Sequence, residues 1–208
     1  MHLILASSNQ HKLKEIQEKI GFLSIPLQVS SDKDITVDST VEKFSTYREN
    51  AKAKCDAVLQ QLPSSNNFIC MADDSGIEVP VLGNIPGVHS ARFAPSGKDI
   101  DHRKKLLQML RGFEFTQKHC HFTCALCCWV QNQYYFFEGR VDGFVLGFER
   151  GEKGFGYDPI FYYPPYQKTF AEISSEKKNQ VSHRGRALEK LATFLKKYQR
   201  WDSNPHEV

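Results

Sequence analysis

The sequence lacks a long hydrophobic run. Its most apolar segments are residues 2–6 and 122–130, whereas a membrane-spanning helix needs about 20 apolar residues and a secretory signal an N-terminal apolar core of about 7–15. With 40% hydrophobic and 25% charged residues, the composition of the 208-residue chain is that of a globular protein. We therefore expect a cytoplasmic protein with no membrane partner.

The sequence also lacks a large excess of charge of either sign. The net charge is +3 and there is no long block of Lys and Arg, so the electrostatic footprint of a general nucleic-acid-binding protein is weak. Repeats and low-complexity segments are absent, and the length suits one domain. These features favour a single domain with no nucleic acid as partner.

The six cysteines form only one Cys-x-x-Cys pair, Cys124 and Cys127, without a second pair or a suitably spaced histidine. A structural zinc site needs about four ligands. A redox Cys-x-x-Cys normally opens a helix, whereas this pair lies inside an apolar run. We therefore predict buried, unreactive thiols.

One stretch in the first half of the chain carries the main candidate site. Residues 68–72 are apolar and predict a buried strand, which Asp73, Asp74, Ser75 and Gly76 follow. Ligands of open α/β sheets bind beyond the carboxyl ends of strands, where two carboxylates suit Mg²⁺ or orient a water. Asp and Gly are equally ordinary in a turn that closes a hairpin, so both interpretations stand.

The N-terminal segment predicts the start of a β-α-β unit. A strand over residues 2–6 precedes a polar loop over 7–12, a helix that begins near Gln10, and a short strand over 26–30. The helix N-terminus and the charge of Lys12 favour an anion such as phosphate, although the loop has no Walker motif. The alternative is that a side chain of the loop only caps the helix.

A long helix is predicted next, with an apolar stripe over residues 44–62. Two capping boxes compete for its start, Ser39-x-x-Glu42 and Thr46-x-x-Glu49. Glu42 and Glu49 are therefore each a candidate metal ligand or a structural cap.

The middle of the chain predicts a third helix and a hairpin. We expect Asp99 to cap the helix, Gly112 to end it, and residues 102–105 to form a solvated face. Residues 120–130 and 134–142 predict an aromatic-rich hairpin outside the first sheet. This arrangement favours an elongated mixed sheet with a second lobe.

Two segments near the C-terminus add candidate ligand-binding groups. Phe155 and Tyr157 alternate with glycines, which permit close approach of the backbone to a flat ligand on which an aromatic ring can stack. Ser182 is a natural N-cap for the last helix, which leaves His183 and Arg184 in its first turn. Cations at that end are unfavourable, so they indicate either a compensating ligand or a solvated turn.

Six short motifs occur along the chain in an order that resembles one known family. They are Ser-Ser-Asn-x-x-Lys (7–12), Glu-Asn-Ala (49–51), Ala-Asp-Asp-Ser-Gly (72–76), Pro-Gly-x-x-Ser-Ala-Arg (86–92), Gly-Phe-Gly-Tyr-Asp-Pro-Ile-Phe (154–161) and Ser-His-Arg-Gly-x-Ala-Leu (182–188). Together they resemble the Ham1/RdgB family of inosine triphosphate pyrophosphatases over nearly the whole chain.

The resemblance implies an α/β fold with an elongated central mixed β-sheet flanked by helices, and two lobes with a substrate cleft between them. One domain would cover residues 1–198, followed by a polar tail over 199–208. The resemblance also implies a homodimer. The implied activity is Mg²⁺-dependent hydrolysis of dITP, ITP and XTP to the nucleoside monophosphate and pyrophosphate, which would cleanse the nucleotide pool.

The resemblance further implies roles for individual residues. Asp74 would be the catalytic carboxylate and, with Glu42, a Mg²⁺ ligand, while Asp73 supports the cluster and Glu49 is the alternative ligand. Within the substrate-binding set, the N-terminal loop and Lys178 would bind phosphates, the aromatic segment the base, and the last helix the six-position of the purine. That set is Ser7, Ser8, Asn9, Gln10, His11, Lys12, Ser75, Phe155, Gly156, Tyr157, Asp158, Lys178, His183 and Arg184.

The N-terminal loop departs from the family pattern Thr-Gly-Asn-x-Gly-Lys, because Ser8 and His11 replace the two glycines and restrict positive φ. One alternative is a Maf-like pyrophosphatase that acts on pyrimidine or modified nucleotides, and Ser182-His183-Arg184 favours the first family. Another is a non-enzymatic nucleotide- or nucleic-acid-binding module, which has no use for paired acids.

Overall fold

One mixed β-sheet with helices on both faces forms the scaffold of this computed structural model. The structure describes residues 2–7, 9–21, 26–29, 35, 37, 41–62 and 68–203, with side chains up to residue 198. The predicted mixed sheet flanked by helices is confirmed, while its division into two lobes stays a prediction.

The elements follow the chain in this order. The strands are β1 His2–Leu5, β2 Leu27–Val29, β3 Phe68–Val79, β4 Ile85–Pro86, β5 His119–Val130, β6 Gln133–Val145, β7 Phe161–Tyr163 and β8 Lys168–Thr169. The helices are α1 Gln10–Ile20, α2 Tyr47–Leu59, α3 Asp99–Met109, α4 Ser175–Val181 and α5 His183–Ser203.

The sheet has the strand order β2-β1-β3-β5-β6-β7-β8, with β4 added to β3. The three strands β2, β1 and β3 run parallel, and every pairing from β3 onward is antiparallel. The mixed sheet therefore changes its pairing mode at β3, which is buried along nearly its whole length.

The paired acids lie in the middle of β3 rather than after its end. β5 pairs with β3 from Cys70 to Glu78, and this partner keeps the chain extended through Asp73 and Asp74. The interpretation of these residues as a turn that closes a hairpin is therefore wrong. The hairpin of β5 and β6 forms as predicted, but it continues the first sheet instead of lying outside it.

Three hydrophobic clusters cover the sheet. The odd-numbered side chains of β3, such as Ile69 and Met71, pack under α1 and α5, and further along the same face Ile77 and Val79 pack under α3. The even-numbered side chains, such as Cys70, pack under α2 on the opposite face. The alternation of a strand thus sends neighbouring residues of β3 to different helices.

The helix starts follow local capping chemistry. Asn9, Thr46 and Ser182 each accept backbone N–H groups of the first turn of a helix. Thr46 therefore caps α2, and Ser39 of the competing box lies outside the described residues. Asp99 does not cap α3, because Lys98 is the N-cap residue and Asp99 occupies the first helical position.

The last helix runs further than expected. α5 continues through residues 199–203, which the sequence assigned to a tail, and residues 204–208 lie outside the described part of the chain. None of the described helices is long and apolar enough to span a bilayer.

The cysteines are as predicted. All six are free and buried, and burial raises the pKa of Cys124 to about 12. Burial likewise raises the pKa values of Cys55, Cys120 and Cys128, so these thiols stay protonated and unreactive near neutral pH.

Candidate active site

The candidate site occupies a gap along one edge of β3. β1 pairs with this edge only as far as Met71, and β4 begins to pair at Glu78. Between them the edge has no strand partner among the described residues, and Ser90 Oγ accepts the N–H of Ile77 at 2.9 Å. A cavity opens at this gap, and it is lined by Asp74 and Ser75 together with residues from distant parts of the chain.

Asp74 points toward α2. Its Oδ2 accepts a hydrogen bond from Asn50 Nδ2 at 3.1 Å, and its Oδ1 lies 3.3 Å from Lys54 Nζ. Burial raises the pKa of Asp74, and the positive charges of Lys54 and Lys12 only partly oppose that effect. A carboxylate whose pKa is raised accepts a proton more readily than an ordinary one.

Lys54 joins the acids of the cavity and was not selected from the sequence. Its ammonium lies 2.5 Å from Glu42 Oε1 and 2.9 Å from the carbonyl oxygen of Asp73, in addition to its contact with Asp74. Arg92 binds the other oxygen of Glu42. The sequence carries one signal for this residue, because Lys54 lies at the helical spacing of the apolar stripe of α2, where an apolar side chain is expected.

Glu42 and Asp74 converge on one cation, the Lys54 ammonium. Mg²⁺ at nucleotide sites takes one or two protein carboxylates and completes its shell with water and phosphates. The donor set therefore fits Mg²⁺, although no larger His, Cys, Asp and Glu cluster of metal-binding geometry exists within the described ranges. Glu49, the alternative ligand, instead binds Thr46 Oγ1 at the exposed start of α2.

Asp73 points to the opposite face and anchors Arg184. Its Oδ2 lies 2.9 Å from Lys12 Nζ and 3.1 Å from Arg184 Nη2. Burial raises the pKa of Asp73, but these two cations outweigh it and hold the pKa well below its usual range. Arg184, which is 2% exposed, also donates to Glu15 Oε2 and to Ser75 Oγ. These groups form a charge-paired network at the cavity, which Lys12, Ser75 and Arg184 line.

Residues 154–158, here called the aromatic wall, close another side of the cavity, which residues 155–158 line. The ring of Phe155 stacks on His11 with 5.1 Å between centroids and 11° between planes, and Lys178 Nζ lies 4.5 Å from its centroid. Lys178 is neutralised by Asp158 at 2.5 Å and Glu15 at 2.9 Å. Phe155 lines the cavity but His11 does not, so the imidazole supports the ring from outside the cavity.

His183 contributes a buried and unpaired nitrogen. Its ring stacks on Phe122 with 4.6 Å between centroids, and its Nδ1 has no hydrogen-bond partner in the described structure. Burial lowers the pKa of His183 well below its usual value, and the charges of Arg184 and Lys178 lower it further. The imidazole is therefore neutral, and His183 is one of the residues that line the cavity.

Most of the predicted site residues share this cavity. Ser7, Gln10 and His11 do not line it, and Ser8 lies outside the described residues. The predicted residues that line it are Asn9, Lys12, Glu42, Asp74, Ser75, Phe155, Gly156, Tyr157, Asp158, Lys178, His183 and Arg184.

Two lining residues belong to α3 and were missed. The predicted solvated face over residues 102–105 is wrong for His102, which is 2% exposed and lines the cavity together with Asp99, whereas Lys104 and Lys105 are exposed as predicted. Its Nδ1 accepts the N–H of Ala94 at 2.9 Å. The sequence does not reveal this burial, because His102 is the first of four consecutive basic residues. Only the helical period indicates which of the four side chains points inward.

The chain is similar to proteins of known family. The Ham1 family profile matches residues 3–194. A dITP/XTP pyrophosphatase of Clostridium perfringens is 40% identical over 197 residues, which cover 93% of this chain and 96% of the relative. A dITP/XTP pyrophosphatase of Leuconostoc mesenteroides is 41% identical over 197 residues, with 94% and 96% covered.

Solved structures agree in fold. A HAM1 protein from Coxiella burnetii superposes with a TM-score of 0.84 at 33% identity and covers 95% of this chain and 99% of its own. The Ham1 protein of Staphylococcus aureus gives a TM-score of 0.82 at 35% identity, with 95% and 100% covered. From these matches of sequence and fold, we conclude that the chain belongs to the Ham1 family.

Proposed function

We propose that this protein hydrolyses dITP, ITP and XTP to the nucleoside monophosphate and pyrophosphate, and so removes deaminated purines from the nucleotide pool. The observation that carries the proposal is that Asp74 and Lys12 line the same cavity as Phe155 and His183. An acid and a cation suited to a triphosphate thus lie beside a ring and a polar atom suited to a base. The relatives from Clostridium perfringens and Leuconostoc mesenteroides, both named dITP/XTP pyrophosphatases, support this activity.

Asp74 is the proposed general base. It would take a proton from the water that attacks the α-phosphorus, while the bond from that phosphorus to the α–β bridging oxygen breaks and pyrophosphate leaves with the electron pair. Glu42 and Asp74 would hold Mg²⁺, which when bound neutralises phosphate charge and lowers the pKa of water. Lys54 contacts both of these acids, Lys12 pairs with the neighbouring Asp73, and the two lysines would offset the remaining negative charge.

The base would be held and selected by the aromatic wall and the start of α5. Phe155 would stack on the purine, and His183 with Arg184 would meet its six-position. Hypoxanthine and xanthine present an acceptor oxygen there, whereas adenine presents an amino donor. A protein donor that faces an amino group stays unpaired, which costs about 1–3 kcal/mol, or roughly tenfold to a hundredfold in kcat/KM.

A substrate panel tests the proposal. Pyrophosphate release is measured from dITP, ITP, XTP and the standard nucleotides, with Mg²⁺ and with EDTA. We expect release from the three non-standard purines to exceed that from ATP at least tenfold and to stop with EDTA. Equal rates on all nucleotides would contradict the proposed selectivity, and a preference for pyrimidines would favour the Maf-like alternative.

A variant pair tests the role of Asp74. Asp74→Asn removes the proton acceptor and a metal-binding charge while it keeps the size of the side chain, so we expect turnover of ITP to be lost with the melting temperature nearly unchanged. Glu49→Gln, at the exposed cap, is the control and should retain activity. Activity retained in Asp74→Asn would remove Asp74 from its proposed role.

We also propose that the protein is a homodimer, as the family resemblance implies, and that it lies in the cytoplasm, as its lack of a long hydrophobic run led us to expect. Sedimentation equilibrium at micromolar concentration decides the oligomeric state. A mass of about twice the 23.9 kDa chain supports the dimer, and a monomer mass refutes it.

A further inference from the structure

One turn of α3 holds both backbone polar groups of Gly156. Asp99 Oδ2 accepts the Gly156 N–H at 2.6 Å, and Arg103 Nη1 donates to the Gly156 carbonyl oxygen at 2.7 Å. Asp99 and Arg103 are four positions apart and therefore project from the same face of the helix. The two side chains thus form a clasp on Gly156 of the aromatic wall, which lies more than 50 positions from each of them in sequence.

Arg103 is held in place on its other side. Its Nε and Nη2 donate to the two carboxylate oxygens of Glu149 at 2.9 and 3.1 Å, and its side chain is only 12% exposed. A guanidinium paired with a carboxylate in this two-point geometry keeps a fixed orientation. Arg103 therefore presents its remaining donor to Gly156 from a rigid position.

The third residue on this face of α3 also contacts the wall. His102 stacks on Tyr157 with 6.4 Å between ring centroids and 24° between planes. Positions 99, 102 and 103 thus contact consecutive residues of the wall and leave the outward-facing Lys104 exposed. The contact between α3 and the wall is a repeated feature of one helical face rather than a single surface hydrogen bond.

The wall needs such support because of its backbone. Gly154 and Gly156 flank Phe155, and both have positive φ, 74° and 59°. When a segment becomes ordered, glycine loses more conformational freedom than any other residue type. A ring held between two glycines is well placed for stacking only when other contacts fix the loop.

We propose that Asp99 and Arg103 are positioning residues that set the distance between the aromatic wall and the rest of the cavity, and hence the binding of the purine. The proposal rests on the proposed function. Their hydrogen bonds go to Gly156 and Glu149, and none goes to the acids or lysines of the phosphate side in the described structure. Loss of the clasp should therefore weaken substrate and transition state equally, which raises KM and leaves kcat nearly constant.

Hydrogen exchange tests the clasp without any substrate. In Asp99→Ala and Arg103→Ala, amides of residues 153–158 should exchange at least tenfold faster than in the wild type, because the Gly156 N–H or its support is lost. Asp101→Ala and Lys104→Ala remove matched charges from neighbouring positions of α3 and should leave this exchange unchanged. Asp99→Asn keeps an acceptor oxygen and should restore most of the protection.

Steady-state kinetics on ITP tests the consequence. We expect KM to rise about tenfold in Asp99→Ala and Arg103→Ala with kcat within twofold of the wild type, and both constants to be normal in the two controls. Unchanged exchange, or faster exchange with an unchanged KM, would overturn the proposal. If the wild type hydrolyses none of the non-standard purines, the proposed function fails, and the exchange experiment alone decides whether α3 holds the wall.

Discussion

The guanidinium of Arg184 is the most deeply buried positive charge near the cavity, and two carboxylates balance it. Glu15 and Asp73 both have pKa values below their usual ranges, because nearby cations, Arg184 among them, outweigh the effect of burial. Removal of Arg184 leaves these two negative charges buried and only partly compensated, by Lys178 and Lys12.

Arg184→Ala is therefore expected to lower the free energy of unfolding by about 3–5 kcal/mol. Urea denaturation measures the change. Arg186→Ala is a matched control on the same helix, since its exposed guanidinium donates to the Arg140 carbonyl oxygen and has no carboxylate partner within the described part of the chain. We expect it to cost less than about 1 kcal/mol. Equal losses in the two variants would show that the buried network does not depend on this charge.

The buried imidazole of His183 links folding to pH. In the folded protein its pKa is well below the ordinary value of about 6.5, first because of burial and then because of neighbouring cations. Below that ordinary value the unfolded chain takes up a proton that the folded chain does not. Folding stability is therefore lost as pH falls, by at most about 1.4 kcal/mol per pH unit.

The prediction concerns the difference between wild type and His183→Gln. Asp74 and Asp158 titrate with the opposite sign, because burial raises their pKa values, but both proteins contain them. Between pH 7.5 and 5 we expect the wild type to lose more stability than His183→Gln, measured by urea denaturation at each pH. His89→Gln removes an exposed imidazole and is the control. Parallel curves for wild type and His183→Gln would contradict a buried neutral His183.

Single residues were predictable where the chemistry is local. Asn9 and Ser182 were predictable as helix caps because they are polar residues directly before an apolar helical pattern. Asp73 and Asp74 were predictable as a candidate site because two acids directly follow an apolar run. Lys54 was not found, because its partners come from other segments and only the helical period marks it as inward-facing. Ion pairs of this kind depend on tertiary contacts that no local pattern encodes.

The packing of α5 on β6 depends on one glycine. A Cβ at Gly139 would overlap the carbonyl oxygen of His183 and approach the backbone nitrogen of Ala187. Both are backbone atoms of a helix, so they cannot rotate away. The absence of a side chain at Gly139 therefore lets α5 start close to the sheet, where His183 and Arg184 reach the cavity.

Gly139→Ala should displace the start of α5 and lower the free energy of unfolding by about 1–3 kcal/mol. Gly147→Ala is the matched control, because a Cβ there meets no atom within 4 Å and its φ is not in the positive range that disfavours alanine. Urea denaturation compares the two. A loss in Gly147→Ala as large as that in Gly139→Ala would refute the close approach as the cause.

The lengths and pairings of strands were less predictable than their existence. The apolar run 68–72 indicated β3, but the strand continues to Val79 because β5 supplies a hydrogen-bonding partner for the polar residues. The same contact places the β5–β6 hairpin inside the sheet. Strand pairing joins residues far apart in sequence, so the end of an apolar run does not mark the end of a strand.

The cavity as a whole draws on almost every part of the chain. The start of α1, the segment before α2, β3, α3, β5, the aromatic wall, α4 and α5 each contribute lining residues, and the sheet order brings them together. The family resemblance anticipated this assembly, whereas no segment alone specified the strand order. A ligand that contacts all of these elements binds only the folded protein and must stabilise it by mass action.

An analogue of ITP with a methylene group between the α- and β-phosphates cannot be cleaved at the proposed bond. It therefore allows the stabilisation of the folded protein by ligand binding to be measured without turnover. At 100 times its dissociation constant it should add about 2.7 kcal/mol to the free energy of unfolding. We expect a clear rise in melting temperature with Mg²⁺ and a much smaller rise with EDTA, because Glu42 and Asp74 otherwise repel the phosphates. The matching ATP analogue should raise it less. Equal shifts with and without EDTA would show that the carboxylates bind no metal with the nucleotide.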